Sequence, residues 1–203
     1  TLPIFIQKYI TSQSSKIKLM MKKINIAVLG DGGWGTTLAL LLEKKGFRVT
    51  LWGAFGDYVQ YLKRKRVNVK FLPTFRIPAA IKITSDLKEA VSGKQLIVLA
   101  APSQYLRQVL KRLRIAKCPD EAIYLSVSKG IEIKSLQRMS EVIRDELGKV
   151  KIAVLSGPTI AQEAAKGLPT TAVIASSDRL LREYLQDIFM TECFRIYTSD
   201  DAA

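Results

Sequence analysis

The stretch from Ile24 to Gly35 constrains the fold more than any other part of the chain. Ile24-Asn25-Ile26-Ala27-Val28-Leu29 is a near-continuous apolar, β-branched run, the pattern of a strand covered on both faces in a parallel sheet. Gly30-Asp31-Gly32-Gly33-Trp34-Gly35 follows at once. A Leu- and Ala-rich helix is then predicted over 34–45, stopped by the C-cap signal Gly46. A strand that runs through a tight turn into a helix needs a parallel partner on the far side of that helix. The local pattern therefore commits the chain to an α/β architecture.

The remaining sequence repeats this alternation. Strands are predicted over 48–52, 81–84, 95–101, 122–127, 152–155, 171–175 and 194–197. Helices are predicted over 57–66, 104–113, 135–147, 159–166 and 179–189. A connector punctuated by Pro73 and Pro78 joins helix 57–66 to strand 81–84, and Asp86 with Glu89 forms a capping box opening another helix. The expectation is a Rossmann-type, doubly wound, mostly parallel sheet. The predicted domain spans residues 22–200. Residues 1–21 read differently: an apolar patch over 2–10, a Ser/Thr run, then lysines, with no acid before Asp31. A secretory signal would place charge before the apolar patch and a cleavage site after it. A transit peptide fits the lack of acids but not the lack of Arg, so a poorly ordered leader is expected.

Composition limits the chemistry. The chain has no histidine, which excludes Ser-His-Asp and Cys-His nucleophiles and every His-ligated metal site within it; no metal is expected. Cys118 and Cys193 show no zinc or redox spacing and read as reduced thiols of a cytoplasmic protein. With 32 Lys+Arg against 18 Asp+Glu and a net charge of +14, the surface should attract polyanions or phosphorylated small molecules. No apolar run reaches the roughly 18–20 residues of a membrane span.

The glycine turn fits G-x-G-x-x-G in the context that gives the pattern meaning, between a buried strand and a helix. Gly30 permits the tight turn, Gly32 lets a pyrophosphate approach the backbone, and Gly35 allows close helix–strand packing. The helix N-terminus supplies free N–H groups and partial positive charge for the diphosphate. One part of the fingerprint is missing. The second strand ends Trp52-Gly53-Ala54-Phe55, with neither the carboxylate that binds an NAD ribose nor an Arg for a 2′-phosphate, and Asp57 lies too far along. NAD and NADP both stay open.

In such sheets ligands gather beyond the carboxyl ends of the strands. Ala101-Pro102-Ser103, Ser128-Lys129-Gly130 and Ser156-Gly157-Pro158-Thr159 all fall there. Lys129, beside a flexible glycine, can reach a phosphate or carbonyl oxygen as a point charge, although most lysines in so basic a chain are solvated surface. Thr159 is predicted to N-cap the helix over 159–166, with Gln162 as capping-box partner. A plain capped helix and an ordinary proline turn remain the alternatives for these loops.

The stretches VLGDGGWGTTLALLL, FLPTFRIPAAIKITSDLKEAV, LIVLAAPSQYLRQVL, LSVSKGIE, VLSGPTIAQEAAKGLPTTAVIAS and FRIYTSDD resemble, in order, NAD(P)-dependent glycerol-3-phosphate dehydrogenase. The resemblance runs from about residue 23 to 201. It implies an enzyme that interconverts dihydroxyacetone phosphate and sn-glycerol 3-phosphate by hydride exchange with NAD or NADP. It further implies a Rossmann-type N-terminal domain completed by an all-helical C-terminal one, and leaves a homodimer of the full-length enzyme open. Position by position, it implies cofactor contacts at Gly33, Trp34 and Ala161, a lysine shared by cofactor and substrate at Lys129, and substrate contacts at Gly157 and Thr159.

Departures are visible too. Gly33 and Thr159 each stand where the family often has serine, and Ala54 stands where many members carry a basic or imidazole side chain. The family's proton-acceptor lysine and phosphate-binding Arg-Asn pair fall after the YTSDD stretch, outside these residues, so no catalytic residue is assigned. The chain is expected to be the N-terminal half, binding nucleotide but turning over negligibly alone. A dinucleotide-binding module without chemistry is the alternative. Nucleic acid is not expected as a partner: the basic residues, including Lys63-Arg64-Lys65-Arg66, are spread along the chain without a recognition motif.

Overall fold

The computed structural model describes residues 24–116 and 121–201. The predicted leader and Cys118 lie outside the described residues. The elements in chain order are β1 (Asn25–Leu29), α1 (Gly33–Lys44), β2 (Arg48–Trp52), α2 (Gly56–Lys65), β3 (Val67–Asn68), β4 (Leu72–Arg76), β5 (Lys82–Thr84), α3 (Leu87–Val91) and β6 (Leu96–Leu99). They continue with α4 (Ser103–Ile115), β7 (Ile123–Ser126), α5 (Met139–Leu147), β8 (Lys151–Ser156), α6 (Ala161–Lys166), β9 (Thr170–Ala175), α7 (Arg179–Phe189) and β10 (Phe194–Ser199).

Eight strands form one sheet in the order β10-β9-β8-β7-β6-β1-β2-β5. From β5 to β8 every pairing is parallel, and the order is the doubly wound 3-2-1-4-5-6 arrangement with its switch point between β1 and β6. β9 then runs antiparallel to β8, and β10 parallel to β9. The sheet is therefore mostly parallel, as expected.

The two faces of β1 explain the core. Ile26 and Val28 pack with Leu38 and Leu42 of α1 and Leu185 of α7 on one face. Ala27 and Leu29 pack with Leu106, Leu110 and Leu113 of α4 and Val142 of α5 on the other. All these side chains are fully buried, which explains why β1 reads as continuously apolar. Each leucine contributes about 1.5–3 kcal/mol by leaving water. Beyond the end of α1, Lys45 Nζ donates to the carbonyls of Asp187 and Met190, 2.7 and 2.5 Å away, at the C-terminal end of α7. Burial lowers this amine to about 8.

Four local expectations need correction. The connector after α2 contains a hairpin, β3–β4. The helix predicted over 135–147 starts only at Met139: Leu136 adopts a left-handed φ of 56°, and Ile131 bridges Arg138 antiparallel, so the first predicted turn closes a loop instead. The helix predicted from Thr159 starts at Ala161 with Ile160 as N-cap and no side-chain cap bond, so the Thr159–Gln162 box does not form. At α3 the Asp86 carboxylate accepts from Glu89 N–H at 3.2 Å, but the Glu89 carboxylate turns to Lys82, at 2.8 Å, and to the Thr84 hydroxyl.

Candidate functional site

The glycine turn is fixed by contacts that a side chain would destroy. Gly30 has φ +132°, and a Cβ there would stand 2.6 Å from the Ala100 carbonyl oxygen. A Cβ on Gly35 would stand 2.0 Å from the Gly30 carbonyl oxygen and 3.1 Å from the Ala100 methyl. These two glycines let β1, α1 and the end of β6 converge. Gly32 is different: no atom lies within 4 Å of the place its Cβ would take. The first helical hydrogen bond of α1 runs from Thr36 N–H to Gly32 O, 2.9 Å, so the amides of Gly33, Trp34 and Gly35 precede it. No acidic residue sits in that first turn. An open glycine at the positive end of a full helix is the geometry that admits an anion against backbone.

The neighbours of Gly33 and Trp34 refine the expected contacts. A Cβ on Gly33 would be 2.8 Å from the Phe71 carbonyl oxygen and 3.4 Å from the Ala161 methyl. A side chain at Gly33 would thus run into the β3–β4 hairpin, which closes over the turn. The Trp34 ring meets Phe194 of β10 edge-on, 6.0 Å between centroids, so its side chain packs inward. Ala161 lies beside the turn, its methyl 3.4 Å from the Cβ position of Gly33 and its carbonyl accepting from the Thr37 hydroxyl at 3.0 Å.

One organising residue was not legible in the sequence. Asn68, fully buried, donates from Nδ2 to the Asp31 carbonyl and the Thr36 hydroxyl, both at 2.7 Å. Its Oδ1 accepts from the Tyr58 hydroxyl at 2.6 Å. Tyr58 in turn accepts from Lys70 N–H at 3.2 Å, and Lys70 Nζ stands 4.6 Å from its ring centroid. Burial pushes both the Tyr58 hydroxyl and the Asp31 carboxyl above their ordinary values; for Asp31 a backbone hydrogen bond and Lys70 oppose the rise. The only signal for Asn68 was a polar residue between two valines.

Lys129 and Thr159 come together: Lys129 Nζ donates to the Thr159 carbonyl at 3.2 Å. Gly157 is required by packing, since a Cβ there would lie 2.8 Å from the Thr171 carbonyl oxygen and 2.9 Å from Ala172 Cα. Ser103 Oγ lies within 3.4 Å of the Cβ position of Gly130. The Ser128 hydroxyl donates to the carbonyls of Leu99 and Ala101 at 3.2 and 2.5 Å. The loops after β1, β6, β7 and β8 thus share one edge of the sheet.

The loop bearing Lys129 is held by α4. Arg107 grips Glu132 through Nε and Nη2, both at 2.8 Å, and reaches Gln137 at 2.7 Å and Glu146 at 2.9 Å. The guanidinium and the Ser135 hydroxyl hold the Glu132 carboxyl down to about 2. Gln104 adds a second clamp, donating to Ile131 O at 2.7 Å and accepting from Ile133 N–H at 3.0 Å. Among the described residues no group of three or more Cys, Asp or Glu side chains could hold a metal. No helix among them is long and apolar enough to cross a membrane.

The strand order and the open turn at its switch point define the class: a Rossmann-type nucleotide-binding domain. Residues 25–181 match the family described as NAD-dependent glycerol-3-phosphate dehydrogenase N-terminus. Glycerol-3-phosphate dehydrogenase [NAD(P)+] of Fusobacterium nucleatum is 44% identical over 181 residues, covering 88% of this chain and 53% of the relative. The enzyme of the same name from Syntrophomonas wolfei is likewise 44% identical, covering 88% and 52%. The crystal structure of glycerol-3-phosphate dehydrogenase from Coxiella burnetii superposes with a TM-score of 0.84 at 35% identity, covering 89% of this chain and 55% of that one. The chain belongs to the NAD-dependent glycerol-3-phosphate dehydrogenase family, in its N-terminal part. It spans about half the length of the curated relatives it matches.

Proposed function

We propose that this chain is the coenzyme-binding part of an NAD(P)-dependent sn-glycerol-3-phosphate dehydrogenase, which interconverts dihydroxyacetone phosphate and sn-glycerol 3-phosphate. The observation that carries the reading is Gly32: an open glycine at the N-terminus of α1, on the sheet edge where Lys129 and Thr159 meet. The bound nicotinamide supplies or accepts the hydride. The chain's own residues do the holding. The amides of Gly33 and Trp34 receive the pyrophosphate, and Gly30 and Gly35 keep that turn narrow. Ala161 borders the coenzyme, while Gly157 and Thr159 shape the place of the three-carbon phosphate.

Lys129 fixes negative charge shared by coenzyme and substrate. Its ammonium donates one hydrogen bond, to the neutral Thr159 carbonyl, which leaves its charge uncompensated by that partner and two further N–H donors for an anion. The proton at the substrate hydroxyl is the task of a lysine that the family carries beyond these residues. A polypeptide of residues 1–203 is therefore expected to bind dinucleotide and to turn over negligibly. Following NADH absorbance with dihydroxyacetone phosphate tests this: turnover on the order of 10 per second would refute the division of labour. Lys129→Ala separates the enzyme reading from a non-catalytic dinucleotide module. On the enzyme reading it should weaken the ternary complex with glycerol phosphate, whereas on the module reading it should do no more than leave dinucleotide affinity within about threefold of the parent.

A further inference from the structure

Resting on the dinucleotide reading of the Gly30–Gly35 turn, the geometry around Asp31 identifies which coenzyme the site selects. The end of β2 carries no acid. Instead it carries Gly53, and the space above Gly53 is already filled: a Cβ there would lie 2.4 Å from Asp31 Oδ2 and 2.7 Å from Asp31 Cγ. The Gly30 amide donates to Trp52 O at 2.9 Å, so the glycine turn is laced directly to the end of β2. The Asp31 carbonyl is pinned by Asn68 at 2.7 Å, which fixes where the Asp31 side chain departs. The carboxyl therefore occupies the corner where an acid ending the second strand meets an adenosine ribose, but arrives there from the glycine turn.

This carboxyl is incompletely used by the protein. Asp31 Oδ2 is buried and accepts no hydrogen bond among the described residues. A buried carboxylate oxygen without a donor is costly, and a vicinal diol offers two donors. We propose that Asp31 is the specificity-determining residue for the coenzyme: it accepts the adenosine ribose hydroxyls and rejects a phosphate ester on them, so that this chain prefers NAD(H) to NADP(H). Lys70 is the cation whose field reaches the Asp31 carboxyl. It is drawn onto the Tyr58 ring face, and its charge opposes rather than causes the selection.

The test is calorimetric titration of the 203-residue chain with NADH and with NADPH, repeated on Asp31→Asn and Asp31→Ala, with circular dichroism and urea midpoints as folding controls. The parent should bind NADH at least about tenfold more tightly than NADPH. Asn keeps the shape and removes the charge, so it should narrow that ratio mainly by a gain for NADPH. Ala should narrow it mainly by a loss for NADH. A parent that binds NADPH as tightly as NADH, with Lys70 capturing the phosphate, overturns the inference whatever the variants do. So does a folded Asp31→Asn protein with the parental ratio. Failure of both coenzymes to bind would instead overturn the dinucleotide reading itself.

Discussion

Gly32→Ala and Gly35→Ala test separately the two duties of the glycine turn. At Gly35 the new methyl would stand 2.0 Å from the Gly30 carbonyl oxygen, a backbone atom that cannot swing aside. Overpacking costs typically about 1–3 kcal/mol, and a backbone clash this deep belongs at the upper end, about 3 kcal/mol. At a urea slope of about 2 kcal/mol per molar, the unfolding midpoint falls by about 1.5 M. At Gly32 the backbone is at φ −66° and ψ 178°, allowed for any residue, and the methyl meets nothing. Losing a glycine N-cap opposes folding by several tenths of a kcal/mol, roughly, while the stiffer unfolded chain returns about 0.4–1. The midpoint should therefore stay within about 0.5 kcal/mol of the parent in stability. Yet the methyl stands in the open space beside the helix amides, so dinucleotide affinity should fall at least about tenfold. Urea titration by tryptophan fluorescence reads the first quantity, and calorimetry with NADH the second. Gly32→Ala binding like the parent, or Gly35→Ala unfolding at the parental midpoint, would refute the assignment.

Further outcomes follow from the polar contacts. Asn68→Ala leaves the Tyr58 hydroxyl and the Thr36 and Asp31 oxygens short of a buried partner and should lower stability by about 2–3 kcal/mol; an unchanged melting temperature contradicts the hub role. Glu132 is held from 4.5 down to about 2 by Arg107 and Ser135. Its stabilisation is therefore complete above pH 4.5 and lost as pH falls through 2, because the unfolded chain takes up the proton first. Glu132→Gln should flatten the acid limb of the stability profile across that window, and urea midpoints against pH that keep the parental slope would count against the Arg107 clamp. Lys45 is lowered from 10.5 to about 8 by burial, so its share of stability rises with pH between those values. Lys45→Met should remove that rise in the same series.

What the sequence showed and hid divides along physical lines. β1, β6 and β7 are buried on both faces, so solvent exclusion writes them directly as apolar runs. The glycine turn was legible because steric demands at Gly30 and Gly35 admit no other residue. The β3–β4 hairpin was hidden because Val67–Asn68 spans too few residues to show alternation and Pro73 lies inside β4. The start of α5 was misread because a left-handed residue at Leu136 carries no compositional mark when it is not glycine. At Thr159 a good capping residue was overruled by the chain's course: its amide instead bonds the Gly157 carbonyl at 2.8 Å. Local propensity is a weak prior against such tertiary demands. Asn68 and Asp31 escaped for a related reason, since their importance lies in what crosses over them from distant segments.

The reversal between β8 and β9 decides at which rim of the sheet β10 ends. Because β10 follows the direction of β9, Ser199 ends beside Ser176, whose amide donates to its carbonyl at 3.1 Å. Ser176 itself reaches back to Ile152 near the start of β8. Polypeptide leaving β10 therefore departs from the rim opposite Lys129, roughly 20 Å away at about 3.3 Å per strand residue. A rod of about thirteen helical residues spans that gap, so the end of β10 and the edge that holds Lys129 are separated by the full length of the outer strands.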